Sequence, residues 1–417
     1  MTLLLSSPVF TNDAVVFGIL MLLLAAIFVT AHSEHPFWQK FYTYVPSLLL
    51  CYFLPSILNS AGLVSGEESQ LYFVASRYML PASLVLLTIS IDLKGIVNLG
   101  PKAVIMFIAG TVGIVIGGPL SILIVSSFAP DIVGGSGPDA VWRGLTTVAG
   151  SWIGGGANQT AMYEVFGPSD DLFSAMITVD VIVANIWMAF LLYGAGVSEK
   201  LDRWFKADAS AITEVRKKIE EYRNSIAEIP KLKDTMTVVA VGFGVTAVGH
   251  VVADFIAPMI QEQAPYLSKF SLTSPFFWLI VVATTAGLLL SFTRARELEG
   301  VGASRMGSLL LYILVATIGM KMNVLAIFES PGLFLVGFCW MLVHVLILFV
   351  VAKTINAPFF FIAVGSQANV GGAASAPIVA SAFHPALAPV GVLLAVLGYA
   401  LGTYAAWFCG ILMQMVA

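Results

Sequence analysis

The stretch Gly150-Ser-Trp-Ile-Gly-Gly-Gly-Ala-Asn-Gln-Thr-Ala-Met162 lies where its apolar surroundings predict a membrane helix, yet it holds four glycines and a run of Asn, Gln and Thr. Helix breakers and amides at that depth need a physical reason. The membrane itself follows from composition. The 417 residues are 59% hydrophobic and 11% charged, with a mean hydropathy of +0.93. A soluble domain carries about 25% charged residues, so this chain has too few to cover a water-facing surface of its size. The net charge of −4 gives no footprint for nucleic acid, and no such partner is expected. Cys51, Cys339 and Cys409 fall in apolar runs and read as packing residues, not as a disulfide framework or metal site. The opening MTLLLSSPVFTND lacks the basic leader of a secretory signal, so the first apolar run reads as a retained span.

About 20 apolar residues in helix cross the hydrocarbon core. That ruler predicts twelve segments, near 12–32, 38–59, 71–91, 101–127, 141–166, 171–197, 235–260, 274–292, 306–320, 332–352, 358–382 and 386–413. The long polar stretch 198–234 carries nine of the 20 basic residues, which makes it cytoplasmic by the positive-inside rule. In it Ile212, Val215, Ile219, Tyr222, Ile226 and Ile229 form one helical stripe that stops before Pro230. The stripe fits a connector lying on the membrane or protein body, or, as the sharper reading, a dimerising coiled coil.

The chain also repeats itself. Leu87-Thr-Ile-Ser-Ile-Asp-Leu-Lys94 aligns with Ala316-Thr-Ile-Gly-Met-Lys-Met-Asn323, and Gly150 to Asn158 aligns with Gly365-Ser-Gln-Ala-Asn-Val-Gly-Gly-Ala373. Two halves are implied, 1–197 and 235–417, joined by 198–234. Bases flank 92–102 (Lys94, Lys102) and 293–305 (Arg294, Arg296, Arg305), so these loops read as cytoplasmic; Glu67, Glu68, Asp131 and Asp139 mark external loops. The basic linker stays inside only if 141–166 enters and returns on one side, and the same holds for 358–382 and Lys353. The expected fold class is therefore an all-α polytopic membrane protein: two inverted repeats, each with five crossings and one re-entrant or broken helix. The N-terminus is placed outside, in a bacterial inner membrane, with the lipid bilayer as solvent.

The opening question then has an answer. Irregular backbone at membrane depth survives where it is buried in protein or lines an aqueous cavity, and paired breaks in inverted halves mark a transporter's central site. Close packing of helices at glycine is the competing reading. Cut helix ends expose N–H groups that favour anions and carbonyls that favour cations. Ser151, Gly155, Gly156, Asn158, Gln159 and Thr160 on one break, and Ser366, Gln367, Asn369, Gly371, Gly372 and Ser375 on the other, are the expected solute contacts. Asp180, mid-helix after the first break, and Asn185 beside it are the expected ion-coupling residues, because an intramembrane carboxylate is costly and usually functional. Na⁺ ligands are expected from Asn158, Thr160, Asn369 and Asp180. Arg77 and Arg143 are candidate partners for Asp180 or for a solute anion, or interfacial anchors. Asp92, Lys94 and Lys321 read as interfacial, and His250 and His344 as packed residues. No zinc cluster or catalytic set assembles, so neither an enzyme nor a resident cofactor is expected, and Na⁺ or H⁺ would be the coupling ion. The leading expectation is a secondary transporter of a small polar or anionic solute. A cation/proton antiporter is the alternative, with a channel or membrane enzyme behind it.

The motifs GSWIGGGANQTAM and VGSQANVGGAASAP resemble the YjcL-like family of bacterial integral membrane proteins, labelled a domain of unknown function, over nearly the whole chain. That family is similar in layout to sodium/glutamate and 2-hydroxycarboxylate symporters. The resemblance implies a homodimer working by an elevator movement, with Gly154 to Thr160 and Gly365 to Ser375 in its mobile core. Neither tip holds an arginine, and the loops are not those of a citrate carrier, so no substrate carries over.

Overall fold

The computed structural model describes residues 8–45, 47–66, 68–91, 96, 99–207, 231–270, 272–321, 331–384 and 387–417. Among them there are helices and no strand. The first half holds α1 (Asp13–Ala31), α2 (Pro36–Tyr44), α3 (Ser47–Ser60), α4 (Leu71–Ile89), α5 (Pro101–Ser126), α6 (Val141–Phe166) and α7 (Asp170–Gly196). A short α8 (Ser198–Phe205) opens the linker. The second half holds α9 (Leu232–Gln263), α10 (Pro275–Leu290), α11 (Ala303–Gly319), α12 (Gly332–Ile355), α13 (Phe359–Val370), α14 (Gly372–Phe383) and α15 (Ala388–Val416). The twelve expected segments fall on helix, but 38–59 is divided between α2 and α3, with Val45 extended after α2, and 358–382 between α13 and α14. Among the described residues α1, α4, α5, α7, α9, α12 and most of α15 are long and apolar enough to cross a membrane. The apolar stripe of the linker, Asp92 and Lys94 lie outside the described residues.

Two bundles result. In one, α1 packs on α3 and α11, α9 packs on α10 and α4, and α4 meets α11. In the other, α5 packs on α12, α6 on α15, and α7 on α14. Exchanging the halves maps these pairs onto one another. Glycine allows close pairing: Gly113 and Gly117 of α5 receive His344 and Trp340 of α12, where an added Cβ would lie 3.1 Å from the imidazole and 2.5 Å from the indole. Small residues serve this purpose where lipid offers no hydrophobic drive for helix association.

The ends of the molecule differ in charge. Lys102 donates to the Asn356 carbonyl (3.0 Å), Ser90 to Glu299 (2.5 Å), and the Phe359 N–H to Asp202 (2.7 Å). These contacts collect the α5 start, the α12 end, the 293–305 loop and α8 at one end, with its bases. Burial pushes the Asp202 carboxyl up from its ordinary range, and the Phe359 N–H opposes this. At the other end Asp13 accepts from Ser69 and Gln70, and Lys321 meets Asp170.

Candidate functional site

Both glycine-rich segments are hairpins. Along one α-helix, residues 24 apart would be separated by about 36 Å. Instead the rings of Trp142 and Phe166 lie 5.9 Å apart, and the Arg143 guanidinium donates to the Phe166 carbonyl. The turn is Gly155, at φ +74° and ψ −173°, a conformation open to glycine and costly for a side chain. It splits α6 into arms 141–154 and 156–166. Helices α13 and α14 are the arms of the second hairpin, turning at Gly372 (φ +57°). There Gln367 Nε2 reaches Ser375 Oγ at 2.7 Å, and the rings of Phe360 and Phe383 lie 5.2 Å apart. The first hairpin opens from the end bearing Asp170 and the second from the end bearing Asp202. The motif alignment pairs Gly155 with Val370, two residues short of the observed turn.

Each hairpin is bonded to a long helix of the opposite half. Asn158 donates to the carbonyls of Tyr399 (3.1 Å) and Gly154 (3.2 Å) and accepts from Thr403 (2.7 Å). Asn369 donates to the carbonyls of Phe107 and Gly365 (both 2.9 Å) and accepts from Thr111 (2.7 Å). Both asparagines are fully buried. Thr160 turns back on the Gly156 carbonyl at 3.0 Å. Ser366 accepts from Trp187 and bonds His344 Nε2, both at 2.8 Å. His344 Nδ1 donates to the Gly110 carbonyl (3.0 Å), so this histidine is a packed one.

Asp180 stands behind the first tip. Its two oxygens accept from Trp152 Nε1 (2.7 Å) and Gln159 Nε2 (2.9 Å). Gln159 in turn accepts from Tyr52 at 3.4 Å. Among the described residues no base pairs with Asp180. Arg77 is engaged elsewhere: it lies in a π-helical turn of α4 and pairs with Glu164 at 2.8 Å, while Arg143 closes the first hairpin. Tyr72 also donates to Glu164, Tyr163 donates to Asp170, and Lys321 reaches Asp170 at 3.4 Å. This network ties the first bundle to the hairpin bundle at the acidic end.

A cavity of about 350 Å³ lies where the tips meet. Ser151, Gly155 and Gly156 line it from the first tip, and Gln367, Gly371, Gly372 and Ser375 from the second. Asp180 and Asn185 line it from α7. Nine of the expected site residues therefore share one space. Asn158, Gln159, Thr160, Ser366 and Asn369 do not line it, and their polar groups are bonded within the protein. Of the four residues expected as Na⁺ ligands, Asp180 alone lines the cavity. Tyr312 of α11 and Tyr399 of α15 complete the wall and were not anticipated; each is one hydroxyl in a long apolar run, which carries no positional signal. Gly398 and Gly402, also missed, carry one: four apart, they share a face, and that face admits the first hairpin.

Comparison with known proteins adds the family. The chain is similar to the uncharacterized membrane protein YjcL of Bacillus subtilis (strain 168), 24% identical over 354 residues, which covers 82% of this chain and 84% of that protein. A family described as "Protein of unknown function (DUF819)" matches residues 18–416. The relative is the one whose family the two glycine motifs resemble, and its name agrees with the apolar helices found here. The chain is thus a multi-span helical membrane protein and belongs to the DUF819 family.

Proposed function

We propose that the protein is a secondary active transporter of a small polar organic solute, coupled to Na⁺ or H⁺. One observation carries the reading: two hairpin tips, entering from opposite ends, border a single cavity that holds a membrane-embedded carboxylate. Such breaks, lining a cavity near the bilayer midplane, are how transporters bring backbone and side-chain polar groups to a solute. The corresponding contacts of the two halves support an inverted repeat, with the basic end inside a bacterial plasma membrane and the N-terminus outside. The hairpin bundle (α5–α7 and α12–α15) is the moving part of an elevator, and the bundle of α1–α4 and α9–α11 is its fixed support in a homodimer. Electrical currents from reconstituted protein on a solid support test this. A current that requires both an organic solute and a Na⁺ or H⁺ gradient is expected; no solute-dependent current across polar and anionic classes defeats the reading.

A second reading, a cation/proton antiporter, is favoured by Asp180, which has no base beside it among the described residues. The same measurement separates the two. An antiporter responds to Na⁺ and pH steps with no organic solute present.

A further inference from the structure

The cavity between the tips has a chemical sign. Among its described lining residues Asp180 is the one acid, and none is Lys, Arg or His. A solute that is only an anion would meet a like charge there and no compensating side chain. Gln367 adds a second sign. It is 2% exposed, its Nε2 is spent on Ser375, and its Oε1 has no hydrogen-bond partner. A buried acceptor left unmade is unfavourable, and this one, itself covered, belongs to a residue that borders an open space, so a turn of the Gln367 side chain would bring it to the cavity. What is missing is a donor.

Asp180 points the same way. A carboxylate has about four acceptor sites, and Trp152 and Gln159 occupy two. About two remain. These sites and the Gln367 amide oxygen belong to residues of the same cavity wall. They suit a group that donates several separate N–H bonds and carries positive charge. We propose that the cavity binds its solute through an ammonium group held between Asp180 and the Gln367 carbonyl oxygen. The two returning arms begin beside Gly156 and Gly372, both on the cavity wall. Helix N-termini favour negative groups, so a carboxylate on the same solute has a place to go. The solute class is a small primary amine, amino acids included. This rests on the transporter reading for movement, but not for binding.

Thermal unfolding of the purified full-length protein in detergent tests it, in NaCl and in KCl. The probes are amino acids, each compared with its decarboxylated amine and its deaminated acid, at about 10 mM, ten times a usual upper KM of about 1 mM. Members bearing an ammonium group are expected to raise Tm, and deaminated acids are not. Gln367→Leu should lower the unliganded Tm, because Ser375 loses its partner, and, read as the amine-induced shift above that baseline, should weaken amine binding at least about tenfold, the scale of one hydrogen bond to a charged group. Gln367→Glu should tighten it. Shifts from deaminated acids alone, a shift from Na⁺ that no amine adds to, no shift from any amine, or unchanged amine affinity in Gln367→Leu would each overturn the proposal. Amine binding without accumulation in proteoliposomes would defeat the transporter reading and leave the binding site standing. Accumulation of a carboxylate that lacks an ammonium group would do the reverse.

Discussion

Asn158 and Asn369 each make three hydrogen bonds inside the protein, and every partner is backbone carbonyl or threonine hydroxyl. Truncation strands those partners in a dry interior, at about 1–3 kcal/mol for each group left unsatisfied. Asn158→Ala and Asn369→Ala are therefore expected to lower Tm and loosen the hairpins; unchanged Tm with altered solute affinity in both would return them to the cavity. Under the proposed function, Asp180→Asn is expected to abolish ion-driven accumulation while the elution volume in size-exclusion chromatography stays that of the unsubstituted protein, since an amide oxygen still accepts from Trp152. Retained accumulation with the same ion dependence would remove Asp180 from coupling. That the two glycine-rich tips border one space was legible in the sequence, because helix breaks with polar side chains at membrane depth need protein or a cavity around them. Which amides face the cavity was not legible. An α-helix turns about 100° per residue. Gln367 and Asn369, two residues apart and both expected as solute contacts, therefore lie roughly 200° apart, one on the side that lines the cavity and the other on the side that packs. Gln367 and Ser375 took the cavity as Asn369 took the packing.

At the level of the helix, α15 shows what glycine contributes. A Cβ at Gly398 would lie 2.5 Å from the Ile153 carbonyl oxygen, and one at Gly402 would lie 2.7 Å from Gly154 Cα. Both are backbone atoms, so the hairpin itself would have to move. Gly398→Ala and Gly402→Ala are expected to destabilise by about 1–3 kcal/mol, the usual cost of overpacking. Gly244 of α9, with nothing within 4 Å of its added Cβ, is the control. There alanine gains up to about 1 kcal/mol of helix propensity. Parallel melting curves check the contrast, and equal Tm changes at all three positions would deny the close approach. Helix positions were well read from the length of apolar runs, because the bilayer sets that length. The π turn of α4, Ala75 to Met79, went unread, although Pro81 follows it and cannot donate an N–H to the preceding turn.

Across the whole molecule, Arg77–Glu164 and Lys321–Asp170 join the two bundles at the acidic end. If the hairpin bundle moves, these ties hold it in its present position. A bias of about 1 kcal/mol changes a two-state population roughly fivefold. Lys321→Gln, with Ala373→Cys on the cavity wall as reporter and Cys51, Cys339 and Cys409 replaced, should change the labelling rate by a membrane-impermeant maleimide by about that factor. An unchanged rate would make the network a static brace. Orientation is checked in the same background: cysteines replacing the exposed Glu68 and Lys200 should label from opposite sides of intact cells and inside-out vesicles. The crossing of charge from one end to the other was readable from the loops alone. The ion pairs were not, since Arg77 and Glu164 are far apart in sequence.

The cross-bonding of the hairpins also fixes an order of assembly. The first hairpin leaves the ribosome well before Thr403 and the Tyr399 carbonyl, which satisfy Asn158 and sit in α15. At about 5–20 residues per second, the asparagine waits on the order of 10–50 s for its partners. Through that interval the hairpin is a nascent membrane segment with an unpaired amide, exposed to quality-control proteases. Docking of the first hairpin is therefore gated by α15, and a chain terminated before Ala388 leaves the ribosome with that hairpin still undocked.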